Sequence, residues 1–354
     1  MPLQTGGMLT EAAKKALVEF GDGYSVCDFC LGSLCDITNP PVREFAHELL
    51  PEFLGCEVAA LTYGARDGIF MVMHSLAKPG DSVIVDGNRH YTTVVAAERV
   101  GLNVIEVPSS GYPDFRIDVN EFVPLIEKHN PKLILLTYPD GNYGNISDAK
   151  RLGEIAQQHD VPYIVNGAYA VGRMPVSMKE LGADFIVGSG HKSMASAGPC
   201  GVLGMKKKWE EIVLRKSKAY DNKELESLGC TLRGTPLVTL MASFPYVKER
   251  VNHWEEQVSK AQWFSRELEN LGFKQLGEKP HQHDLLHFET PTLYDISKHV
   301  RERGYFLYKE LKGRGIWGPQ PGLTKAFKLS TFAATKEQLQ FVINSFNAIL
   351  NKYG

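Results

Sequence analysis

The feature that most constrains this chain is a rhythm of short, wholly apolar runs alternating with helix-like segments. DSVIVDG (81–87), KLILLTYP (132–139), VPYIVNG (161–167) and DFIVG (184–188) lack internal polar alternation, and each stops at a glycine or proline. A strand with one wet face alternates polar and apolar residues, whereas a strand apolar throughout must be covered on both faces. LNVIEVP (102–108) reads as a further strand. Between the strands lie TTVVAAERVG (92–101) with its glycine stop, the helix-like stretch 119–128, and a helix running from a Ser147 cap toward Gln158. This β-α-β order predicts an α/β fold whose main sheet is largely parallel and covered by helices on both faces.

The pattern changes after Pro236. Charged helix-like sequence runs to Leu271, punctuated by Pro245, and beyond Gly272 come shorter strand candidates, LLHFET (285–290) and AFKLST (326–331). We expect an N-terminal segment and large domain over 1–240, then a connector helix and small α+β domain over 241–354. A length of 354 residues, 43% of them hydrophobic and 23% charged, suits a large-cored globular protein of this organisation. The formal charge of −2 does not mark a strongly basic nucleic-acid binder, although a near-neutral total leaves room for a local basic patch. The first residues lack the basic, apolar and small-residue regions of a secretory signal. No apolar run approaches the roughly 18 residues of a membrane span. The expected location is the cytoplasm, without membrane contact, and the six cysteines are not a disulfide framework.

In open α/β sheets ligands bind beyond the carboxyl ends of the strands. TYGARDGIF (62–70) opens a helix at Gly64 and Ala65, where free amides would hold a phosphate and Arg66 would add charge. His90 and Tyr91 follow DSVIVDG, Asn142 follows KLILLTYP, Asn166 ends VPYIVNG, and Ser189, Gly190, His191 and Lys192 follow DFIVG. Alone, Lys192 is an ordinary solvated lysine, His90 a strand-end histidine and GARDGIF a helix start. Together and in order they form what pyridoxal phosphate requires: a Schiff-base lysine, a phosphate pocket, a stacking ring and a partner for the pyridine nitrogen.

Here the chain resembles a known family. PLQ…GG (2–7), DGYSVCDFC (22–30), HYTT…AAER (90–99), VNGAYAVGRMPV (165–176), GSGHKSM (188–194), LGCTLRG (228–234) and PGLT…FKLST (321–331) together resemble the archaeal O-phosphoseryl-tRNA:cysteinyl-tRNA synthases. These are pyridoxal-phosphate enzymes of the aspartate-aminotransferase fold, fold type I, with a seven-stranded-type sheet in the large domain. The resemblance implies that Lys192 carries the Schiff base. It implies that Ala65 and Arg66, with Ser189 and His191, hold the cofactor phosphate, that Gly190 is among the cofactor-binding residues, and that His90 stacks on the ring. Asn142 would meet the ring hydroxyl and Asn166 the pyridine nitrogen. It implies a homodimer acting on tRNA(Cys) charged with O-phosphoserine, alongside a phosphoseryl-tRNA synthetase and a sulfur donor not identified by the sequence. Most enzymes of this fold place an aspartate where Asn166 stands. An amide only hydrogen-bonds, which fits a reaction whose good leaving group needs a weaker electron sink.

Cys27 and Cys30 form a C-x-x-C, and Cys230 stands far away in LGCTLRG. Without a second pair a standard zinc site is not indicated. Three cysteines could hold an iron–sulfur cluster with one open iron, or pass sulfur as a persulfide. The resembling family uses this three-cysteine pattern in sulfur delivery, and a cluster in some members, so Cys27, Cys30 and Cys230 are the candidate catalytic thiols and iron–sulfur ligands. Arg233 is the expected cation beside Cys230. Cys56 and Cys200 are expected to be buried packing, as is Cys35 by default, although its position also makes it a spare ligand. The chain departs from the family at Thr5, commonly an arginine, and in RDGIF, where Asp67 and Gly68 stand in place of a glutamate and lysine. Loss of basic residues there bears on substrate affinity.

The expected activity is conversion of phosphoseryl-tRNA to cysteinyl-tRNA through a dehydroalanyl intermediate to which cysteine-held sulfur adds. One rival is a cysteine desulfurase or other lyase on free amino acids. Another, against which an intact Lys192 speaks, is a catalytically silent tRNA-binding relative.

Overall fold

The structure, a computed structural model, describes residues 1–3, 7–22 and 41–353. Cys27, Cys30, Cys35 and Thr5 lie outside the described residues. The chain begins against its own C-terminal half. Leu3 is fully buried, its amide donates to the Trp317 carbonyl at 2.8 Å, and its carbonyl accepts from Ser330 at 3.0 Å. Gly7 then passes the loop that carries Lys192 so closely that a Cβ there would sit 1.8 Å from the Lys192 carbonyl oxygen. Helix α1 (Glu11–Glu19) is capped by Thr10, whose Oγ1 accepts from Ala13 at 3.1 Å.

A helical run follows: α2 (Val42–Glu44), a π-helical turn (Phe45–Leu49) and α3 (Leu50–Leu54). The large domain then builds β1 (Val58–Thr62), α4 (Ala65–Leu76), β2 (Ser82–Asp86), α5 (Tyr91–Val100), β3 (Asn103–Val107), α6 (Phe122–His129), β4 (Leu133–Thr137), α7 (Ala149–Gln158), β5 (Tyr163–Asn166), β6 (Phe185–Ser189), β7 (Gly201–Met205) and the short α8 (Glu210–Val213). Among the described residues the sheet has seven strands in the order β1-β7-β6-β5-β4-β2-β3. Pairings are parallel from β3 to β6, while β7 runs antiparallel to both β6 and β1. Six carboxyl ends therefore share one edge, joined there by Gly201 at the start of β7. Ile84 packs into one apolar layer and Val83 and Val85 into the other, as a doubly covered sheet demands.

Helix α9 (Thr235–Asn252) puts Leu237, Leu240 and Val247 into the large-domain core. Helix α10 (Trp254–Asn270) puts Phe264 and Leu268 into a separate core. Pro245 is accommodated inside α9; the break falls at His253, whose imidazole lies 3.1 Å from Glu249 and 3.3 Å from Glu256. The second core is completed by β8 (Lys274–Leu276), β9 (Leu285–Glu289), α11 (Pro291–His299), α12 (Phe306–Gly313), β10 (Ala326–Ser330) and α13 (Lys336–Tyr353), with an antiparallel sheet ordered β10-β9-β8. Strands β7 and β8 escaped the sequence reading, being short and glycine-rich or charged. The cap of α7 is Asp148 rather than Ser147, because the Asp148 carboxylate reaches the Arg151 amide at 2.9 Å. Among the described residues no helix is long and apolar enough to cross a membrane.

Candidate active site

The carboxyl edge of the large sheet encloses a cavity of about 220 Å³ lined by Gly64, Ala65, Arg66, His90, Asn166, Ser189, His191 and Lys192, with Thr137, Gly141 and Tyr169 among its other walls. At one end stands the start of α4. Its N-cap, Gly64, has φ 137° and offers no side chain to the first turn. The Asp67 and Gly68 amides turn back to the Gly64 carbonyl at 3.0 and 3.2 Å, leaving those of Ala65 and Arg66 for a ligand. A Cβ at Gly201 would stand 2.4 Å from the Gly64 carbonyl carbon and 2.7 Å from the Ala65 nitrogen, so β7 approaches this cradle as only glycine permits. Uncapped amides, the guanidinium of Arg66 and the Ser189 hydroxyl fit a phosphate group. His191 Nδ1 lies 3.2 Å from the Cys200 carbonyl oxygen and 3.4 Å from the Cys200 amide nitrogen, and burial lowers its pKa.

Lys192 is half-buried, with Nζ over the face of Tyr169. Burial first, then the charges of Arg173 and Lys328, bring its pKa down to about 8. His90 caps α5, its Nδ1 accepting from the Thr92 amide at 3.3 Å. Burial, with Lys192, Lys328 and Arg66, pushes it down to about 4, so its ring is neutral at physiological pH. Asn166 is 3% exposed and lines the cavity; its Oδ1 accepts from the Ala168 amide at 3.3 Å, which leaves Nδ2 as its remaining polar group. These residues fit pyridoxal phosphate: an amine, a phosphate cradle, a neutral stacking ring and an amide donor meet in one space.

Two predicted cofactor residues stand elsewhere. Asn142 is exposed and outside the lining, its side-chain amide donating to the Asn88 carbonyl at 3.4 Å. Gly190 is also outside the lining and packs on Cys200, where a Cβ would come within 2.0 Å of the sulfur. Asp67 and Gly68 have structural work. The Asp67 carboxylate accepts from the Tyr63 amide at 3.1 Å, and Gly68 lets α4 settle on Val187, with a Cβ 3.0 Å away.

Cys230 does not line the Lys192 cavity. Cys230 lies in a turn-rich segment tied to the residue after β1, with Tyr63 OH donating to the Thr231 carbonyl at 3.4 Å. The cation on Cys230 is Lys223, whose Nζ lies 3.5 Å from the sulfur, while Arg233 is exposed. Burial raises Cys56 to about 11 and Cys200 to about 12, so neither thiol ionises near neutral pH. Among the described residues no three His, Cys, Asp or Glu side chains are grouped to hold a metal ion.

Sequence reasoning missed Tyr169, Thr137 and a buried polar tier behind the cavity. Asp86, fully buried at the end of β2, accepts from the Thr137 amide at 2.7 Å, and burial raises its carboxyl to about 7. Arg173 and Asp284, each about 1% exposed, pair at 3.1 Å across the two domains. Phe332 of the small domain lies between Arg173 at 4.2 Å and Arg250 at 4.7 Å. The sequence signal for Tyr169 was its place just beyond the end of β5, three residues after Asn166.

A family model described as O-phosphoseryl-tRNA(Sec) selenium transferase, SepSecS, matches residues 34–351. An O-phospho-L-seryl-tRNA:Cys-tRNA synthase of Methanosarcina acetivorans is 56% identical, over 99% of this chain and 93% of its own length. A crystal structure of a SepCysS–SepCysE N-terminal domain complex superposes with a TM-score of 0.93 at 47% identity, covering 99% of this chain and 94% of that one. A cysteine desulfurase of Thermococcus onnurineus superposes at 0.79 with 16% identity over 99% and 95%, which speaks for the fold alone.

Proposed function

This chain belongs to the O-phospho-L-seryl-tRNA:Cys-tRNA synthase family, and from that premise we propose how its residues divide the work of exchanging phosphate for sulfur. It is a fold type I enzyme that converts O-phosphoseryl-tRNA to cysteinyl-tRNA with pyridoxal phosphate. The observation that carries the site assignment is the meeting of Lys192, the uncapped start of α4, His90 and Asn166 in one cavity.

Pyridoxal phosphate bound here supplies the electron sink for the charge left by loss of the substrate's α-proton. Ala65, Arg66, Ser189 and His191 would hold its phosphate and His90 would cover its ring, while Gly190 lets the loop between Ser189 and His191 pack against Cys200. The Asn166 amide, donating through Nδ2, suits an unprotonated pyridine nitrogen. Asn142 would meet the ring hydroxyl only on exchanging its bond to the Asn88 carbonyl for one to the cofactor. Lys192 Nζ would hold the cofactor at its aldehyde carbon, and its depressed pKa suits an amine that also accepts the substrate's α-proton.

Cys27, Cys30 and Cys230 would supply the sulfur as sulfide, as ligands of an iron–sulfur cluster, or as a persulfide whose outer sulfur bonds the β-carbon while a second of these thiols breaks the S–S bond, leaving a disulfide for an external thiol to reduce. The enzyme works in the cytoplasm as a homodimer. Its partners are tRNA(Cys), a phosphoseryl-tRNA synthetase and a protein like the SepCysE seen with the solved relative. The test is a purified Lys192→Ala variant given phosphoseryl-tRNA and sulfide. Retained fold, loss of covalent cofactor capture by borohydride and loss of Cys-tRNA support the assignment; wild-type turnover overturns it. The anaerobic absorbance spectrum of the wild type reports the cluster.

A further inference from the structure

We propose that Lys328, from the small domain, is the cation that recognises the phosphoryl group of the substrate's phosphoserine. The inference rests on the activity proposed above and assigns a residue to its substrate specificity.

Lys328 lies on β10, opposite His287 of β9. It is half-buried, and its Nζ donates to the carbonyl of Gly141 at 3.0 Å, a residue of the cavity wall. The ammonium of a small-domain residue is thus held on the backbone of Gly141, one wall of a cavity lined by large-domain residues. Among the described residues no carboxylate forms an ion pair with it. Asp140, whose charge acts on it, is engaged by the amides of Asn142 at 2.8 Å, Tyr143 at 2.7 Å and Asn145 at 3.1 Å, and by Asn88 Nδ2 at 3.4 Å. A half-buried cation without a countercharge is costly unless an anion arrives. Its field already reaches the reacting groups, since its charge acts on both Lys192 and His90.

Sheet order separates this cation from the cofactor's phosphate cradle. The cradle follows β1, Gly141 follows β4, and β6, which delivers Lys192, lies between them. The substrate carries a second phosphate that must not enter the first cradle. One phosphate site on each side of Lys192 meets that need. Lys328 also comes from the other domain, so recognition of the phosphoryl group couples to how the two domains stand together.

The experiment compares Lys328→Met and Lys328→Arg with wild type in the holoenzyme. It follows the KM for phosphoseryl-tRNA, inhibition by inorganic phosphate, cofactor content and melting temperature. A lost charge-assisted hydrogen bond should raise the methionine variant's KM about 10- to 100-fold. Phosphate inhibition should weaken by a similar factor, with cofactor content unchanged and both effects reversed in Lys328→Arg. A merely structural clamp on Gly141 would lower kcat or melting temperature and leave phosphate inhibition intact, which overturns the proposal. An unchanged KM and unchanged phosphate inhibition also overturn it. Failure of the wild type to release phosphate from phosphoseryl-tRNA is a separate result, and sinks the activity itself.

Discussion

Lys192 Nζ lies 3.9 Å from the centroid of the Tyr169 ring. The ring covers the amine without an oxygen to hold its proton, and burial, Arg173 and Lys328 bring the pKa to about 8 from 10.5. Between these values the unfolded chain binds the proton and the folded chain does not, so stability rises with pH across that window. Urea unfolding of apo-protein from pH 8 to 10 should show this rise in wild type and a shallower one in Lys192→Met. Equal slopes would show that the lysine is not depressed.

Asp86 has the opposite sign. Its carboxyl is raised to about 7 from 3.8, so the folded chain holds a proton that the unfolded chain has lost, and stability falls as pH climbs from 4 to 7. Asp86→Asn keeps an acceptor for the Thr137 amide and cannot ionise. Its melting temperature should be less pH-dependent over that interval than wild type's. A variant as pH-sensitive as wild type would assign the loss to other groups.

Gly201→Ala tests the phosphate cradle without touching a charged group. The added methyl meets the Ala65 nitrogen at 2.7 Å and the Gly64 carbonyl carbon at 2.4 Å, so the start of α4 must shift. Cofactor retention on dialysis should fall about tenfold or more, the loss of roughly one charge-assisted hydrogen bond, with the far-ultraviolet spectrum unchanged. Full retention would move the phosphate elsewhere.

The thiols should separate by reagent as well as by mutation. Iodoacetamide at pH 8 on the native protein should leave Cys56 and Cys200 unmodified, since burial holds both far from ionisation. Cys56→Ser and Cys200→Ser should retain activity, whereas Cys27→Ser, Cys30→Ser and Cys230→Ser should each stop Cys-tRNA formation and spare cofactor binding. Wild-type product from all three of the latter would remove cysteines from sulfur delivery.

Asp284→Ala leaves Arg173 charged and buried without its carboxylate partner. It should cost about 3–5 kcal/mol of stability, while an apolar pair of similar volume at 173 and 284 costs far less. Denaturant midpoints of the single and double variants measure the difference. Equal loss in both would mean that packing, not charge, is what the pair contributes.

Much of the large sheet was legible because its strands are continuous apolar runs, and strand ends then nominate Lys192, Asn166, His90 and Arg66. What could not be read depends on contacts between segments far apart in sequence. Lys328 is an unremarkable lysine in AFKLST until β10 carries it to Gly141. Tyr169 follows Asn166 closely, but only the fold turns its ring under Lys192. The cation beside Cys230 proved to be Lys223 rather than Arg233, because the chain turns back through 225–228 and the Gly229 amide donates to the Glu224 carbonyl at 2.8 Å. Ser147 and Asp148 are both good caps by composition; a single carboxylate-to-amide bond decides between them.

Leu3 and Gly7 are fastened at two separate places. Leu3 is buckled between Trp317 and Ser330, while Gly7 is pressed against the Lys192 carbonyl. Four residue steps join them, and such a length of chain reaches at most about 14 Å. The small domain therefore has a fixed range of travel: swinging further away must either pull Leu3 from its slot or drag on the loop that holds the lysine.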